Sequence, residues 1–407
     1  MKILQLCNKI PFPVVDGGTA AMHQISQGLK MLGHQVKILA VDTPKQHFKE
    51  DLLSAEYINS YQPEYIFLDT RVKLLPAFLN LFSSRSYNVQ RFDSALLRDK
   101  IKNTLLKEHY DLVLMDSLFV TPYIETIREY SKSKIILRAH NVEHLVWERN
   151  AKIEKNSLKR NYLKLLSRRL KKYEFETIPK LDGIAAISLN DVEFFKQNFN
   201  TPVEFTPFGY RVKPNLKSEI FFHDRAYFIG SMDWTPNLEA LHWIVENIFP
   251  GLASLNNAFH ITVAGNKMPE EFIEKTNKTF EVQGMVENPE KFIESFGILI
   301  APIFSGGGLK IKVVEAMANG KLVITTPIGA EGLGAEPNFH FLLCKNKEEF
   351  LSAIRFCIDH KQQVAEIARR GQDFIRENYN LEKIYSSLNK FMHSILLRSS
   401  FDNFNQR

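Results

Sequence analysis

The sequence predicts an α/β fold, and three observations support this prediction. A glycine-rich segment at 305–320 lies between two short apolar runs, at 297–303 and 321–329. The chain begins in the same way, because an apolar run at 1–7 is followed by a loop with two glycines and an amphipathic helix. Both patterns are typical of a strand, loop and helix in a right-handed crossover unit. Finally, 407 residues exceed what one hydrophobic core usually serves, so we expect two domains.

The overall composition is that of an ordinary globular protein. Apolar residues make up 44% and charged residues 24% of the chain, which argues against disorder. Cys7, Cys344 and Cys357 are far apart and have no histidines at ligand spacing, so we expect neither a disulfide framework nor a zinc site. No apolar run approaches the roughly 18–20 residues that span a bilayer. We therefore expect a cytoplasmic protein, either soluble or bound peripherally to the inner face of the membrane.

The glycine-rich segment has the residues that a nucleotide-diphosphate site needs. Gly307 and Gly308 let the backbone approach an anion, and the first N–H groups of the following helix lack intrahelical partners. Lys310 and Lys312 add positive charge there. Glu315 lies one turn further along, where a carboxylate accepts hydrogen bonds from ribose hydroxyls. The same pattern also fits a simple turn before an amphipathic helix whose Lys312–Glu315 pair is solvated.

A second glycine pair precedes the first predicted helix. Asp16, Gly17 and Gly18 come just before that helix, and Gly33 ends it. Backbone N–H groups at such a position favour an anion or the close approach of a sugar. A purely structural turn explains the pattern equally well.

Seven segments occur in an order and spacing that make the comparison with a known family specific. They are Asp16 to Gly18 after a proline-rich loop, Gly33-His34, Arg138 to His144, Pro207 to Tyr210, Phe228 to Met232, Val282 to Val286, and Gly306 to Gly320. With these segments the chain resembles, over nearly its full length, the family 4-like glycosyltransferases. The resemblance implies a GT-B fold, in which two Rossmann-like, doubly wound parallel-sheet domains face a central cleft.

The resemblance also implies an activity. Enzymes of this kind are retaining, metal-independent and free of cofactors, with a nucleotide sugar as donor substrate. The implied reaction moves a hexose-type sugar from a UDP- or GDP-sugar to a glycan or lipid-linked acceptor, in cell-surface polysaccharide or glycolipid synthesis. Two alternatives stay open, namely a nucleotide-sugar epimerase on the same fold and a non-catalytic nucleotide-sugar binding or scaffold protein. No nucleic-acid motif occurs, so nucleic acid is not an expected partner.

His140 matches the family's active-site histidine. It follows a predicted short strand at 135–137, at the end where α/β sheets place side chains that contact ligands. The alternative is a histidine that caps a turn with Asn141 and Glu143. We expect His144 on a helix surface.

The remaining site residues are expected mainly on the donor side. The donor-binding candidates are Gly17, Gly18, Gly230, Ser231, Gly284, Val286, Gly307, Gly308, Leu309 and Glu315, and the weaker ones are Asp16, Trp234, Asn237 and Ser305. No metal ligand is expected.

The sequence departs from the family pattern at two places. The first of two glutamates that the family places eight residues apart falls on Gly307. The family's cation pair falls on Ser231 and on Pro236 or Asn237, none of which is charged. A leaving diphosphate needs positive charge or helix N–H groups directed at it. We therefore assign this role, and a place among the catalytic residues, to Lys310 and Lys312.

A basic segment, an aromatic segment and the domain limits can also be predicted from the sequence. The segment 155–172 holds eight Lys or Arg and no acid, with apolar residues at helical spacing. Such a helix either lies on an anionic membrane or packs its leucines on the core. The segment 74–92 mixes aromatic with small polar residues and either lines the acceptor site or belongs to the core. We expect an acceptor-binding domain at 1–205, a donor-binding domain at 206–380, and a final helix at 381–407 that returns to the first domain.

Overall fold

The computed structural model describes residues 1–45, 47, 53–210, 223–252 and 258–402. It divides the chain into two compact units. The N-terminal unit comprises Met1–Phe208 together with Lys383–Arg407, and the C-terminal unit comprises Gly209–Glu382. The domain limits expected from the sequence, at 205/206 and 380/381, lie within three residues of these divisions. The end of the expected final helix, 403–407, lies outside the described residues.

The N-terminal unit is built on a seven-stranded sheet in which every described pair of strands is parallel. The strand order is β3-β2-β1-β4-β5-β6-β7. The strands are β1 (Lys2–Cys7), β2 (Gln35–Asp42), β3 (Glu64–Phe67), β4 (Leu112–Asp116), β5 (Lys134–Ala139), β6 (Gly183–Ala186) and β7 (Val203–Phe205). The helices are α1 (Gly17–Met31), α2 (Ala55–Tyr61), α3 (Leu74–Asn80), α4 (Tyr87–Gln90), α5 (Ala95–Lys107), α6 (Ile124–Tyr130), α7 (Glu143–Ile153), α8 (Ser157–Thr177) and α9 (Leu189–Asn198), with 3₁₀ turns at Leu118–Tyr123 and Ile178–Lys180.

The C-terminal unit is built on a six-stranded, all-parallel sheet of order β10-β9-β8-β11-β12-β13. Its strands are β8 (Arg225–Ile229), β9 (His260–Ala264), β10 (Phe280–Val282), β11 (Ile298–Ala301), β12 (Leu322–Thr325) and β13 (Leu342–Leu343). Its helices are α10 (Thr235–Trp243), α11 (Phe249–Leu252), α12 (Glu270–Ile273), α13 (Pro289–Glu294), α14 (Ile311–Ala318), α15 (Lys347–Asp359) and α16 (Lys361–Asn378), with a π turn at Ile244–Ile248, and α17 (Leu381–Asp402) follows. The predicted α/β class with two doubly wound parallel sheets is confirmed.

The central strands are mostly apolar and buried because helices cover both faces of each sheet. All five residues of β4 are buried, as are the four of β11 and the four of β12. A parallel sheet covered on both faces reads as a continuous apolar run and not as an alternating one. This is why the short apolar runs in the sequence were sufficient to predict the central strands.

Helix α17 is an added layer of the N-terminal unit. The hydroxyl of Tyr385 donates to the carbonyl of Gln24 in α1 at 2.7 Å, and Ser387 donates to Glu204 at the end of the sheet. His34 lies 2.9 Å from the side-chain oxygen of Asn389. Within the described residues, no helix has the length and apolar content that crossing a bilayer would need.

Gly28 gives a test of this packing. A Cβ atom at Gly28 would lie 2.2 Å from the Tyr385 ring, whereas alanine is otherwise the better helix residue by about 1 kcal/mol. We expect Gly28→Ala to lower the free energy of unfolding by about 1–3 kcal/mol, measured by urea denaturation. Gln27→Ala, on the exposed side of the same turn, is the matched control. A stabilised Gly28→Ala protein would show that α17 does not pack there.

Candidate active site

The winding of the N-terminal sheet reverses between β1 and β4. Strands β2 and β3 lie on one side of β1, whereas β4 to β7 lie on the other. In open α/β sheets, ligands bind outside the carboxyl ends of the strands at such a reversal. The residues at these ends are Lys9 after β1, Asp116 at the end of β4 and His140 after β5.

Asp116 is the centre of a buried polar network at this reversal. Its carboxylate accepts a hydrogen bond from Gln5 Nε2 at 2.8 Å and lies 2.6 Å from His140 Nε2. Arg138 Nη1 is 3.4 Å from the same Oδ1 atom that faces His140. Burial acts to raise the pKa of Asp116, but Arg138 and His140 outweigh it, and the pKa is lowered. Asp116 is therefore ionised and fixes the imidazole.

His140 is held as a neutral imidazole. Burial lowers its pKa, and the hydrogen bond and charge of Asp116 only partly offset this effect. With the ring proton on Nε2 directed at Asp116, Nδ1 is left as a hydrogen-bond acceptor. The alternative turn cap is not what forms: the Asn141 side chain donates to Glu143 at 3.4 Å, while His140 pairs with Asp116.

Arg138 is almost completely buried beside this pair. It is 1% exposed, and its Nε and Nη2 atoms have no hydrogen-bond partner in the part of the chain that the structure describes. Buried donors without partners are rare in native proteins and each calls for a physical explanation. The network around Asp116 thus combines an ionised acid, a neutral base and a cation with unused donors.

The first glycine pair begins α1. Asp16 is the N-cap residue: its Oδ1 accepts from the backbone N–H of Thr19 at 2.8 Å. Lys9 Nζ also donates to both Asp16 oxygens at 2.7 Å. A Cβ atom at Gly18 would lie 2.7 Å from Lys9 Nζ, so a larger residue there would have to displace the end of the Lys9 side chain. Asp16 is therefore engaged by the helix end and by Lys9, and the donor-binding roles of Gly17 and Gly18 stay predictions.

The expectation for His144 was wrong. Its side chain is 2% exposed, and its Nδ1 lies 2.5 Å from Glu174 of α8. Glu174 also accepts from the backbone N–H groups of Glu143 and His144, both at 3.0 Å. A carboxylate supplied by another helix thus caps the start of α7, a contact that helical spacing alone does not reveal. Burial, followed by the charge of Glu174, raises the pKa of Glu143 to about 8.

The C-terminal sheet has a second reversal, between β8 and β11. Strands β9 and β10 lie on one side of β8, and β11 to β13 on the other. The loops after β8 and β11 therefore begin next to each other. The first carries Gly230, Ser231 and Trp234, and the second is the glycine-rich segment.

Lys312 connects the two loops. Its Nζ donates to Oδ1 of Asn237 in α10 at 2.6 Å, and Asn237 in turn donates to the Ser231 carbonyl at 2.8 Å. A Cβ atom at Gly230 would lie 2.8 Å from Lys312 Nζ, which places the cation at the carboxyl end of β8. The Nζ atom also lies 4.3 Å from the centre of the Phe228 ring. Burial lowers the pKa of Lys312 to about 7, although Glu315 acts to raise it.

Lys310 has a different environment. Its side chain is buried, and Nζ donates to the carbonyl oxygens of Gly307 at 3.1 Å and Gly308 at 2.6 Å. Gly306 and Gly308 have φ values of +90° and +69°, which favour glycine. The Lys310 ammonium group therefore braces the turn, and its catalytic role stays a prediction.

The loop is fixed at two further points. Ser305 donates a short hydrogen bond to Glu239 of α10. A Cβ atom at Gly306 would lie 3.4 Å from the ring of Trp234, so the tryptophan packs beside the turn. Leu309 is buried. These contacts explain Ser305, Trp234 and Leu309 as residues that shape the loop.

Glu315 lies on α14, one turn after Lys312. Burial raises its pKa, with Glu290 adding to the effect and Lys312 opposing it. Its carboxylate accepts no hydrogen bond from the residues that the structure describes. Gly284 and Val286 follow β10, where the Gly284 carbonyl accepts from Gly265 at 3.0 Å.

The predicted site residues thus form two groups. Asp16, Gly17, Gly18 and His140 belong to the N-terminal unit, and all the others belong to the C-terminal unit. In the second group the structure brings Gly230, Ser231, Asn237 and Lys312 together, and the glycine-rich turn leads directly into the helix that carries Lys312. Among the described residues, no group of three or more His, Cys, Asp or Glu could hold a metal ion.

Sequence reasoning missed two members of the His140 network. Asp116 could have been found from the sequence, because it is the acidic residue that follows the apolar run 112–115. Arg138 lies inside the segment 138–144 that carries the family resemblance, but a single sequence does not show that this strand arginine is buried against an acid 22 residues earlier.

Comparison with known proteins finds a family model that matches most of the C-terminal unit. Residues 223–360 match the model of the family described as Glycosyl transferases group 1. The matched segment is similar to a group 1 glycosyltransferase domain. It contains β8 to β12, α14 and therefore all of the Lys312 and Glu315 surroundings described above.

Other known proteins are similar to this chain over nearly its full length. An uncharacterized 44.6 kDa protein in the cps region of Klebsiella pneumoniae is 23% identical over 404 residues, covering 96% of this chain and 99% of that protein. Sucrose-phosphate synthase from Thermosynechococcus elongatus has a TM-score of 0.71 at 12% identity, covering 98% of this chain and all of that one. HepE from Anabaena, solved with UDP, has a TM-score of 0.65 at 12% identity, covering 97% and 100%. The GT-B fold and the glycosyltransferase resemblance are thereby confirmed.

The Asp116 network yields a prediction about His140. In Asp116→Asn the carboxylate is lost while Arg138 remains, so we expect the pKa of His140 to fall further, as measured by an NMR pH titration of the imidazole resonances. Leaving Arg138 buried without its acid should also lower the free energy of unfolding by about 3–5 kcal/mol. Asp99→Asn, an exposed carboxylate on α5, makes the same charge change as a control. An unchanged or raised His140 pKa would contradict the coupling.

Proposed function

We propose that this chain is a retaining, metal-independent glycosyltransferase. It transfers a hexose-type sugar from a UDP- or GDP-sugar to a glycan or lipid-linked acceptor in cell-surface polysaccharide synthesis. The observation that carries the proposal is the half-buried Lys312 at the β8 and β11 reversal, one turn from an unengaged Glu315, inside a group 1 domain. The description of the Klebsiella relative as a protein in a cps region supports the polysaccharide context.

The proposed donor site assigns a role to each end of the nucleotide sugar. The diphosphate lies against Lys312 and the backbone of the glycine-rich turn, which Lys310 braces. The ribose hydroxyls donate to the free carboxylate of Glu315. The base lies near Gly284 and Val286. HepE, which shares the fold, was solved with UDP and with UDP-glucose, which supports a UDP-sugar as the first donor to test.

The proposed chemistry is front-face transfer. The bond from the anomeric carbon to the diphosphate oxygen breaks, the acceptor hydroxyl oxygen bonds to that carbon from the same face, and the hydroxyl proton passes to the leaving diphosphate. Lys312 stabilises the charge that develops on the diphosphate, which is the task a metal ion performs in other transferases. Nδ1 of neutral His140 accepts a hydrogen bond from a substrate hydroxyl, and Asp116 holds the ring for this purpose.

We place the enzyme in the cytoplasm, peripherally on the inner face of the membrane. The basic segment 155–172 supports this placement: Lys164, Arg168 and Lys172 of α8 are exposed, while Leu166 and Leu170 are buried in the core. Leu166 and Leu170 therefore pack inward, Leu158 is 81% exposed, and the cations are left for an anionic surface. A non-catalytic nucleotide-sugar binding protein is the second candidate, and Gly307 favours it because no carboxylate occupies that position.

The direct test is donor binding in the purified protein. We expect UDP or GDP, or the corresponding sugar conjugate, to raise the melting temperature without magnesium. Glu315→Ala should weaken this binding by about 10–100-fold, since a hydrogen bond to a charged group contributes about 1.5–3 kcal/mol. Glu270→Ala, an exposed glutamate of α12 in the same unit, is the control. Absence of any nucleotide response would remove the proposal, and binding without transfer to any acceptor would favour the second candidate.

Lys312 adds a prediction about pH. With a pKa of about 7, it is mostly neutral at pH 8, and a bound diphosphate should restore its charge. We expect binding at pH 8 to take up part of a proton, and affinity to weaken as pH rises above 7. Calorimetry in buffers of different ionisation enthalpy measures this uptake. Lys312→Arg keeps its charge at every such pH, so it should bind without proton uptake. Equal affinity at pH 7 and pH 9 in the native protein would contradict the role of Lys312.

A further inference from the structure

Helix α3 has its apolar side chains on the outside. Leu74, Leu75, Phe78, Leu79 and Phe82 recur at the spacing of one helix face, and they are between 56% and 88% exposed. The rings of Phe78 and Phe82 make an edge-to-face contact with centroids 5.6 Å apart. An exposed Leu or Phe by itself is ordinary, whereas four on one short helix, with Phe82 in the turn just after it, form a patch that marks an interaction surface. The sequence interpretation of this segment as core is therefore wrong for α3.

Polar contacts hold this helix in place from its inner side. Asn80 is 4% exposed, and both its carbonyl and side-chain oxygens accept from Arg169 Nη1, at 2.8 and 2.9 Å. Arg169 Nη2 donates to the Leu81 carbonyl at 2.9 Å. At the other end, the Tyr87 hydroxyl accepts from the backbone N–H of Lys73 at 3.1 Å. These hydrogen bonds hold both ends of α3 and keep its apolar face directed outward.

The surroundings of the patch are positively charged. Arg169 belongs to α8, so α3 ends directly against the basic helix. Lys164, Arg168 and Lys172 lie within about one and a half turns of Arg169 and are exposed. At the start of α3, Lys73 and Arg71 are exposed and share one acid, Asp69, at 3.1 and 2.8 Å, so one positive charge is left over there. An apolar face bordered by cations is the pattern of a surface that enters the interface of an anionic bilayer.

The charge also argues against a second copy of the chain as the occupant. A symmetric dimer would bring the same patch of each copy together. The basic residues of the two α8 helices would then face each other, and like charges across an interface are unfavourable. An anionic lipid surface satisfies both the apolar face and its basic border.

We propose that α3 is a membrane-inserting element that buries Leu74, Leu75, Phe78, Leu79 and Phe82 among lipid acyl chains while α8 contacts anionic headgroups. Arg169 couples the two by fixing the angle of α3 to α8. The inference deepens the membrane contact proposed for α8 and rests on that part of the proposed function. It is independent of which nucleotide sugar is used.

Vesicle binding tests the insertion. The full chain is sedimented with vesicles of phosphatidylcholine and phosphatidylglycerol, and with phosphatidylcholine alone. We expect binding to the mixed vesicles, and a loss of about tenfold or more for Leu75→Gln/Phe82→Gln. Leu96→Gln/Leu106→Gln removes two exposed leucines of α5, 60% and 62% exposed, and should bind like the native protein. Lys164→Gln/Arg168→Gln/Lys172→Gln tests the α8 contact separately.

Each result has a defined meaning. Loss of binding in the α8 variant but not in the α3 variant overturns the insertion and keeps the α8 contact. Native protein that binds no vesicle overturns both, while a UDP or GDP melting response in the same sample leaves the transferase proposal standing. Native protein that self-associates in sedimentation velocity, with the α3 variant monomeric, assigns the patch to a second copy and overturns the proposal.

A second measurement reads the depth of α3 directly. Phe82→Trp adds a fluorophore to the patch, and we expect a blue shift of the added emission with mixed vesicles, together with quenching by brominated acyl chains. Leu106→Trp on α5 should show neither change. Quenching that is equal at the two positions would exclude α3 as the inserted element.

Discussion

The all-parallel pairing of both sheets is the constraint on which the rest of the structure depends. Parallel strands need crossover helices, and the helices cover both faces of each sheet, so the only places open to ligands are the strand ends. In each unit the winding reverses beside the first strand, β1 or β8. The residues that follow these two strands and their neighbours β4 and β11 are therefore the ones available for chemistry. Lys312 Nζ lies at the end of β8, and His140 follows β5, the strand next to β4.

Each reversal has an ionisable side chain: Asp116, which is buried, and Lys312, which is half-buried. The protein stabilises the two charges in different ways. In the N-terminal unit Asp116 keeps its charge because Arg138 and His140 face it. In the C-terminal unit Lys312 has the amide oxygen of Asn237 as its close partner, and burial shifts its pKa far below its usual range. An ammonium group held this way is an incomplete ion pair. A ligand that brings negative charge completes it, whereas Asp116 is satisfied by the protein alone.

Much of the fold could be predicted from the sequence, because strands that helices cover on both faces form mostly apolar runs and glycines with positive φ mark the loops. The runs at 1–7 and 135–137 correspond to β1 and β5, and the glycine-rich turn is where it was expected. What local pattern could not show is contact between distant residues. The partnership of Asp116 with Arg138, the cap that Glu174 supplies to α7, and the outward face of α3 all depend on tertiary packing. His144 was misplaced for the same reason.

The departures from the family pattern also have a physical explanation in the packing around β8. The family's cation falls on position 231 and on 236 or 237, and here Asn237 occupies the last of these. Its side-chain oxygen binds Nζ of Lys312, which reaches the end of β8 from α14. The ammonium group at that strand end is thus supplied by α14. Asn237 also donates to the Ser231 carbonyl. The same amide therefore orients Lys312 and closes the turn after β8. Residues 231 and 237 are uncharged, but the site still contains an ammonium group. It belongs to Lys312 of α14 and donates to the Asn237 amide oxygen.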